Sequence, residues 1–77
     1  MTGNKLGEAI RRARGGKSLR QFARETGVSH THIDSIERGR DPRTGKRVNI
    51  TVTTLAKISQ ATGIPLSALI EKEVADK

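Results

Sequence analysis

The stretch SLRQFARETGVSHTHIDSIERG, residues 18–39, contains two short helical patterns on either side of a tight turn. Ser18 and Ser29 each stand at a helix N-cap position, where the hydroxyl can accept a hydrogen bond from a first-turn amide. Gly27 and Gly39 follow the two patterns, and glycine readily adopts the left-handed conformation that ends a helix. Apolar residues at helical spacing predict the two buried faces, which are Leu19, Phe22 and Ala23, then Ile33 and Ile36.

Three further helices are predicted outside this stretch, so the expected fold is all-α with five helices. Their apolar faces are Leu6, Ala9, Ile10 and Ala13; Val52, Leu55, Ile58 and Ala61; and Leu66, Leu69 and Ile70. Gly15-Gly16 ends the first, Thr51 and Gly63 bound the fourth, and Pro65 opens the fifth. We expect residues 1–70 to form one domain and residues 71–77 to form a frayed C-terminal tail.

The basic residues are distributed unevenly. The chain carries 15 Lys and Arg against 8 Asp and Glu, a formal net charge of +7. Residues 51–77 hold three of each sign, so all of the net positive charge lies in the first fifty residues. This asymmetry favours a polyanionic partner for one face, although a solvated basic surface that aids solubility would give the same numbers.

Composition excludes several classes of protein. The 77 residues include no cysteine, so neither a disulfide framework nor a thiolate metal site is available. No apolar run approaches the length of a membrane span, and no signal-peptide core follows Met1. We expect a cytoplasmic protein that makes no contact with membranes.

The ordered elements resemble the helix-turn-helix domain of the phage lambda repressor and Cro family, also called the XRE family. The resemblance covers roughly residues 4–70 and includes SLRQFARETGVS, HIDSIERG and TLAKISQATGIPLSALI. Ala23 is small where two helices cross, Gly27 makes the turn and Val28 fills it. The resemblance implies a compact lambda-repressor-like fold that binds double-stranded DNA and places its third helix in the major groove.

The third helix carries the expected base-reading residues. With Ile33 and Ile36 inward, helical geometry predicts that His30, Thr31, Asp34 and Ser35 face outward. The resemblance places base readers at His30, Thr31 and Ser35, and Asp34 can accept from cytosine N4 or repel phosphate. These side chains offer the donors, acceptors and methyl group that base edges recognise. A polar, solvated helix face is the alternative interpretation.

Phosphate contacts are expected from the starts of the second and third helices and from the basic residues that follow the third. The candidates are Lys17, Ser18, Arg20, Gln21, Ser29, His32, Arg38, Arg40, Arg43, Lys46 and Arg47. Asp41-Pro42 and Thr44-Gly45 predict a turn in the long connection at 40–50, with Arg43, Lys46 and Arg47 projecting toward the DNA backbone. For each cation, a mobile exposed side chain is the alternative.

The resemblance also implies an ion pair between the first helix and Glu37. Keeping Ile10 and Ala13 in phase makes the partner Arg14, whereas ungapped counting gives Arg12. The sequence departs from the family pattern in three places. Leu19 replaces a common glutamine, the link after the first helix is short, and the 40–50 connection is long and basic.

The predicted function is sequence-specific DNA binding by a bacterial or phage-type transcriptional regulator, a repressor acting on a palindromic operator. Leu66, Leu69, Ile70 and Val74 offer a small surface for a homodimer. The alternatives are an antitoxin that represses its own operon, a protein-interaction module, and nonspecific RNA binding, which the near absence of aromatic residues disfavours. His30 and His32 point to different sides of a helix and no third ligand is evident, so no metal site is expected. The sequence contains nothing that resembles a nucleophile with its base or a carboxylate pair in an apolar setting, so no enzymatic activity is expected, and neither a cofactor nor a small-molecule ligand is evident.

Overall fold

A computed structural model describes residues 4–41, 43–48 and 50–76 of the chain. Within these residues lie five α-helices: α1 (Lys5–Arg14), α2 (Leu19–Thr26), α3 (His30–Arg38), α4 (Val52–Thr62) and α5 (Leu66–Ala75). The described residues contain no strand beyond an isolated bridge between Arg40 and Arg47. The predicted all-α fold of five helices is confirmed.

The helix ends follow the local signals in the sequence. Ser18, Ser29 and Thr51 each accept a hydrogen bond from the backbone amide three residues further on. Gly27 and Gly39 close α2 and α3 in the left-handed conformation, with φ of 76° and 84°. Because caps satisfy amides and carbonyls that the helix itself leaves free, they fix where α2 and α3 begin and end.

The core is aliphatic around one phenylalanine and joins all five helices. Its buried members are Leu6, Ile10, Phe22, Val28, Ile33, Ile36, Leu55, Ile58 and Leu69. The predicted stripe on α4 is wrong at both edges, since Val52 is 61% exposed and Ala61 is also exposed. At 100° per residue, the buried direction falls between Leu55 and Ile58. Val52 and Ala61 lie about 90° to either side of that direction, at the edges of the buried face.

The predicted frayed tail from residue 71 is also wrong. Helix α5 continues to Ala75, and Glu73 is buried. The Asp76 carboxylate accepts from the α1 amides of Lys5 and Leu6, at 2.8 and 3.0 Å. Asp76 therefore packs against the start of α1 and supplies a negative charge where the α1 dipole favours one.

The surface expected to support a homodimer is smaller than predicted. Leu69 is fully buried in the core and Leu66 is partly buried, so neither is available as expected. Ile70 and Val74 remain, with 37% and 61% of their surface exposed.

The connection between α3 and α4 folds into the predicted turn over its described residues. The Asp41 amide donates to the Lys46 carbonyl at 2.7 Å, and the Gly45 amide donates to the Asp41 carbonyl at 2.8 Å. Gly45 has a φ of 71°, which favours glycine. Pro42, part of the predicted turn signal, lies outside the described residues. These two hydrogen bonds give the described residues around Asp41, Gly45 and Lys46 a hairpin-like shape.

Candidate nucleic-acid interface

Helices α2 and α3 pack against each other across the turn at Gly27. Val28 in this turn is buried, and its amide donates to the Thr26 hydroxyl at 3.2 Å. Thr26 itself is buried, and its hydroxyl donates to the Ala23 carbonyl. The small Ala23 is partly buried against the core. These contacts fix the angle at which α3 leaves the turn and therefore which side chains α3 presents to solvent.

The first turn of α3 presents the polar side chains that the sequence predicts. His30 and Thr31 are exposed, and His32 is partly exposed. Asp34 is partly exposed, and its carboxylate forms an ion pair with Arg38, one helical turn away, in which Oδ2 lies 3.1 Å from Nε. The ion pair offsets the negative charge of Asp34 on an otherwise basic face and leaves His30 and Thr31 free to meet a partner.

Ser35 does not face outward as predicted. The residue is only 6% exposed, and its hydroxyl donates to the Thr31 carbonyl at 3.1 Å. A serine side chain is short, so it lies along its own helix and uses its hydroxyl on the backbone one turn earlier. We therefore leave Ser35 out of the base-reading residues proposed below.

The residues predicted to contact phosphate around α2 are exposed, and some are already engaged. Lys17, Ser18, Arg20 and Gln21 all lie at the surface. Lys17 Nζ lies 2.6 Å from Glu25 Oε1, and Gln21 Nε2 donates to the other carboxylate oxygen at 3.4 Å. The hydrogen bond from Lys17 lowers the pKa of Glu25. Glu25 thus competes with phosphate for Lys17, a partner that the sequence analysis missed.

The cations that follow α3 fall into two groups. Arg40, Arg43 and Lys46 are exposed, and Arg43 has only a loose ion pair to Asp41, at 3.7 Å. Arg47 instead turns toward α5. Its guanidinium donates to the Glu73 carboxylate at 3.1 Å and to the Asp76 carbonyl. The prediction that Arg47 projects from the end of α3 is therefore wrong, because the negative end of α5 holds it.

A bidentate ion pair ties α3 to α1. Arg14 Nε and Nη2 donate to the two carboxylate oxygens of Glu37, at 2.8 and 2.9 Å. The Glu37 side chain is 4% exposed and that of Arg14 is 21% exposed. The hydrogen bond to Glu37 raises the pKa of the Arg14 guanidinium. The predicted Arg14–Glu37 pair is confirmed, and the alternative partner Arg12 is exposed.

Other residues that position α3 escaped the sequence analysis. Arg11 also approaches Glu37, at 3.5 Å. Asn4 caps α1 by accepting from the Gly7 amide and donates to the Glu37 carbonyl at 2.7 Å. A Cβ on Gly7 would lie 2.7 Å from the Ile36 carbonyl oxygen, so α1 approaches the α3 backbone closely here. An asparagine before the first apolar residue was the one available signal, as an N-cap.

Two kinds of feature are absent from the residues that the structure describes. Among residues 4–41, 43–48 and 50–76, no three His, Cys, Asp or Glu side chains are grouped as a metal ion requires. No described helix combines the length and the apolar character needed to cross a membrane. The candidate interface therefore consists of α2, α3 and the cations around them.

Comparison with known proteins gives one match. A helix-turn-helix family model, of the type found in lambda repressor and the XRE regulators, matches residues 8–69. Neither the curated proteins nor the solved structures gave a match. The matched range begins inside α1 and runs through the fourth residue of α5, so it includes both helices of the interface and the Arg14–Glu37 pair, whereas Asn4 and Gly7 lie before it.

Proposed function

Because the chain belongs to the helix-turn-helix family of the lambda repressor and XRE type, we propose that it represses transcription by binding a specific operator in duplex DNA. The family is one of sequence-specific DNA-binding regulators rather than enzymes. The observation that carries the proposal is the exposure of His30 and Thr31 on the first turn of a helix that α1 and α2 hold rigidly.

In this proposal α3 enters the major groove and its first turn reads base edges. His30 can donate to guanine N7 or O6, and the Thr31 methyl group can contact the thymine methyl. Asp34 can accept from cytosine N4 with the carboxylate oxygen that does not face Arg38, and its negative charge disfavours bases that present only acceptors. Ser35 is small and its hydroxyl already donates to the Thr31 carbonyl, so it adds no unpaired polar group near the bases.

Phosphate contacts come from both ends of the interface. Around α2 the contributors are Lys17, Ser18, Arg20 and Gln21, and at α3 they are Ser29, His32 and Arg38. Arg40, Arg43 and Lys46 extend the basic surface beyond the end of α3. Each neutralised phosphate releases counterions, so binding should weaken steeply as salt is added.

The operator is proposed to be a palindrome bound by two copies of the chain in the cytoplasm. Ile70 and Val74 on α5 are exposed aliphatic residues that a second copy can cover. Two-fold symmetry of a protein pair is matched by inverted half-sites about one helical turn apart, ~34–36 Å.

Selection from a random duplex library, followed by sequencing, tests the proposed function. An enriched motif with two inverted halves is the expected outcome. A library that shows no enrichment although the protein binds duplex would contradict sequence-specific binding, and enrichment of a single half-site would contradict the dimer.

Variants of α3 then test which residues read bases. His30→Ala and Thr31→Ala should each lower discrimination at particular operator positions by ~1–3 kcal/mol. Gln60→Ala is the matched control, because Gln60 is an exposed polar residue on α4. Equal losses on operator and random duplex would assign His30 and Thr31 to positioning instead of base readout.

A further inference from the structure

Two arginines on α2 are exposed and form no ion pair with the residues that the structure describes. Arg20 and Arg24 lie one helical turn apart, so their side chains share a face of the helix. Neither forms an ion pair within the described part of the chain, in contrast to Lys17, which lies just before the N-cap of α2 and pairs with Glu25.

These arginines line an open groove between α2 and the start of α3. The groove has a volume of about 570 Å³, and its other lining residues include Ala23, Gly27 and His30. No acidic residue lines it. Its small residues, Ala23 and Gly27, leave room for a ligand to approach the backbone of the turn.

A lysine from another helix lies beside Gly27, one of the residues that line the groove. A Cβ placed on Gly27 would lie 4.0 Å from Lys57 Cδ, which puts the stem of this α4 side chain beside the turn. Lys57 is exposed and has no ion pair among the described residues. Three helices thus bring cationic or titratable side chains, Arg24, Lys57 and His30, to the turn between α2 and α3.

We propose that this groove binds the sugar-phosphate backbone of the duplex, with Arg24 and Lys57 as phosphate contacts that lie outside the predicted set. The proposal rests on the proposed function, since it places the groove beside the bases that His30 reads. A guanidinium matches two phosphate oxygens with its fork of donors, and an ammonium matches one as a compact charge. The groove would extend the footprint along the strand that flanks the His30 contact.

DNA fits this groove better than an acidic protein surface does. His30 forms part of the groove wall and also belongs to the first turn of α3, so one continuous ligand can reach both. A protein partner would usually cover exposed aromatic or aliphatic anchors. The apolar members of this lining, Ala23 and Val28, are partly or fully buried.

Salt-dependent binding to a random duplex of about two helical turns tests the proposal without knowledge of the operator. Arg24→Gln and Lys57→Gln should each weaken binding and flatten the slope of log affinity against log salt by about 0.9. The double variant should flatten it by about twice that amount. Affinity for the selected operator should fall by the same factor as affinity for random duplex, because phosphate contacts carry no sequence information.

Arg12→Gln is the matched control, since Arg12 is an exposed, unpaired arginine on α1. It removes the same charge away from the groove and should leave the salt slope unchanged. Equal salt slopes for wild type, Arg24→Gln and Lys57→Gln would overturn the proposal. A slope for Arg12→Gln that flattens as much as those of the groove variants would also overturn it, because the effect would then come from the overall positive charge of the protein. If the double variant binds duplex like wild type but loses binding to poly-glutamate, the groove serves an acidic protein and the DNA assignment is wrong. A wild-type protein that binds no duplex at all would instead refute the proposed function.

Discussion

Replacing Gly7 by alanine should destabilise the protein, although alanine is the better helix former. In an open helix the change would gain about 1 kcal/mol. Here the added Cβ would lie 2.4 Å from Asn4 Nδ2 and 2.7 Å from the Ile36 carbonyl oxygen. Asn4 can swing away only by losing its bond to the Glu37 carbonyl, and the α3 backbone must move to clear the second contact.

The net effect follows from these opposing contributions. Overpacking costs ~1–3 kcal/mol, and a lost hydrogen bond costs about 1 kcal/mol more. After the helix-propensity gain is subtracted, the free energy of unfolding of Gly7→Ala should fall by ~1–3 kcal/mol. In a domain of this size each kcal/mol lowers Tm by roughly 4–8 °C.

Thermal and urea unfolding followed by circular dichroism measure this difference. Gly16→Ala is the matched control, because no atom lies within 4 Å of its added Cβ. Gly16 lies outside the left-handed region, so this change should be neutral or stabilising by ~0.4–1 kcal/mol. A Gly7→Ala protein as stable as wild type would refute the close contact between α1 and α3, and so would equal losses in the two variants.

Three more outcomes follow from the ion pairs and the α1 cap. Glu37→Ala should lower the free energy of unfolding by ~3 kcal/mol and Arg14→Ala by less, because the exposed fraction of Arg14 lets water reach it. A double-mutant cycle measured by urea unfolding that gives no coupling would remove the pair as a stabilising contact. Glu25→Gln should lower Tm near neutral pH and have no effect well below pH 4.5, the ordinary pKa of this carboxyl. Its folded-state pKa is depressed, so the stability from Lys17 is present above that pH and is lost as the carboxylate protonates; a Tm difference that persists in acid would contradict this. Asp76→Ala should lower the free energy of unfolding by about 1 kcal/mol, because it removes the hydrogen bonds to the α1 amides. Asp76→Asn should retain part of that stability. Thermal melts that rank the two variants in the opposite order would disprove the role of Asp76 at the start of α1.

Features that depend on neighbouring residues could be predicted from the sequence. Ser18 and Ser29 cap helices because each precedes an apolar pattern, and Gly27 and Gly39 end helices because each follows one. The Arg14–Glu37 pair required one further step, the phase of α1 against the core. Helical periodicity gives that phase directly, so the main support of α3 could be predicted too.

Features that depend on where distant elements pack could not be predicted. The Asp76 carboxylate accepts hydrogen bonds from amides 70 and 71 residues earlier, and no local sequence pattern connects these positions. Arg47 looked like a phosphate contact because its attraction to the end of α5 depends on the fold. Ser35 illustrates the same limit on a smaller scale, since periodicity predicts an outward position but does not show how deeply the residue is buried in the fold.

The last turn of α5 fastens two separate parts of the chain, and this has a consequence for local opening. Asp76 holds the first amides of α1, while the carbonyl of Asp76 and the carboxylate of Glu73 hold Arg47 in the connection after α3. A single fraying event at this turn would release both attachments at once. Amide protons at the start of α1 and around Arg47 would then exchange with solvent through one shared opening, as one cooperative unit. The rate of that opening, rather than the global free energy of unfolding, would set how often the basic connection loses its fixed shape.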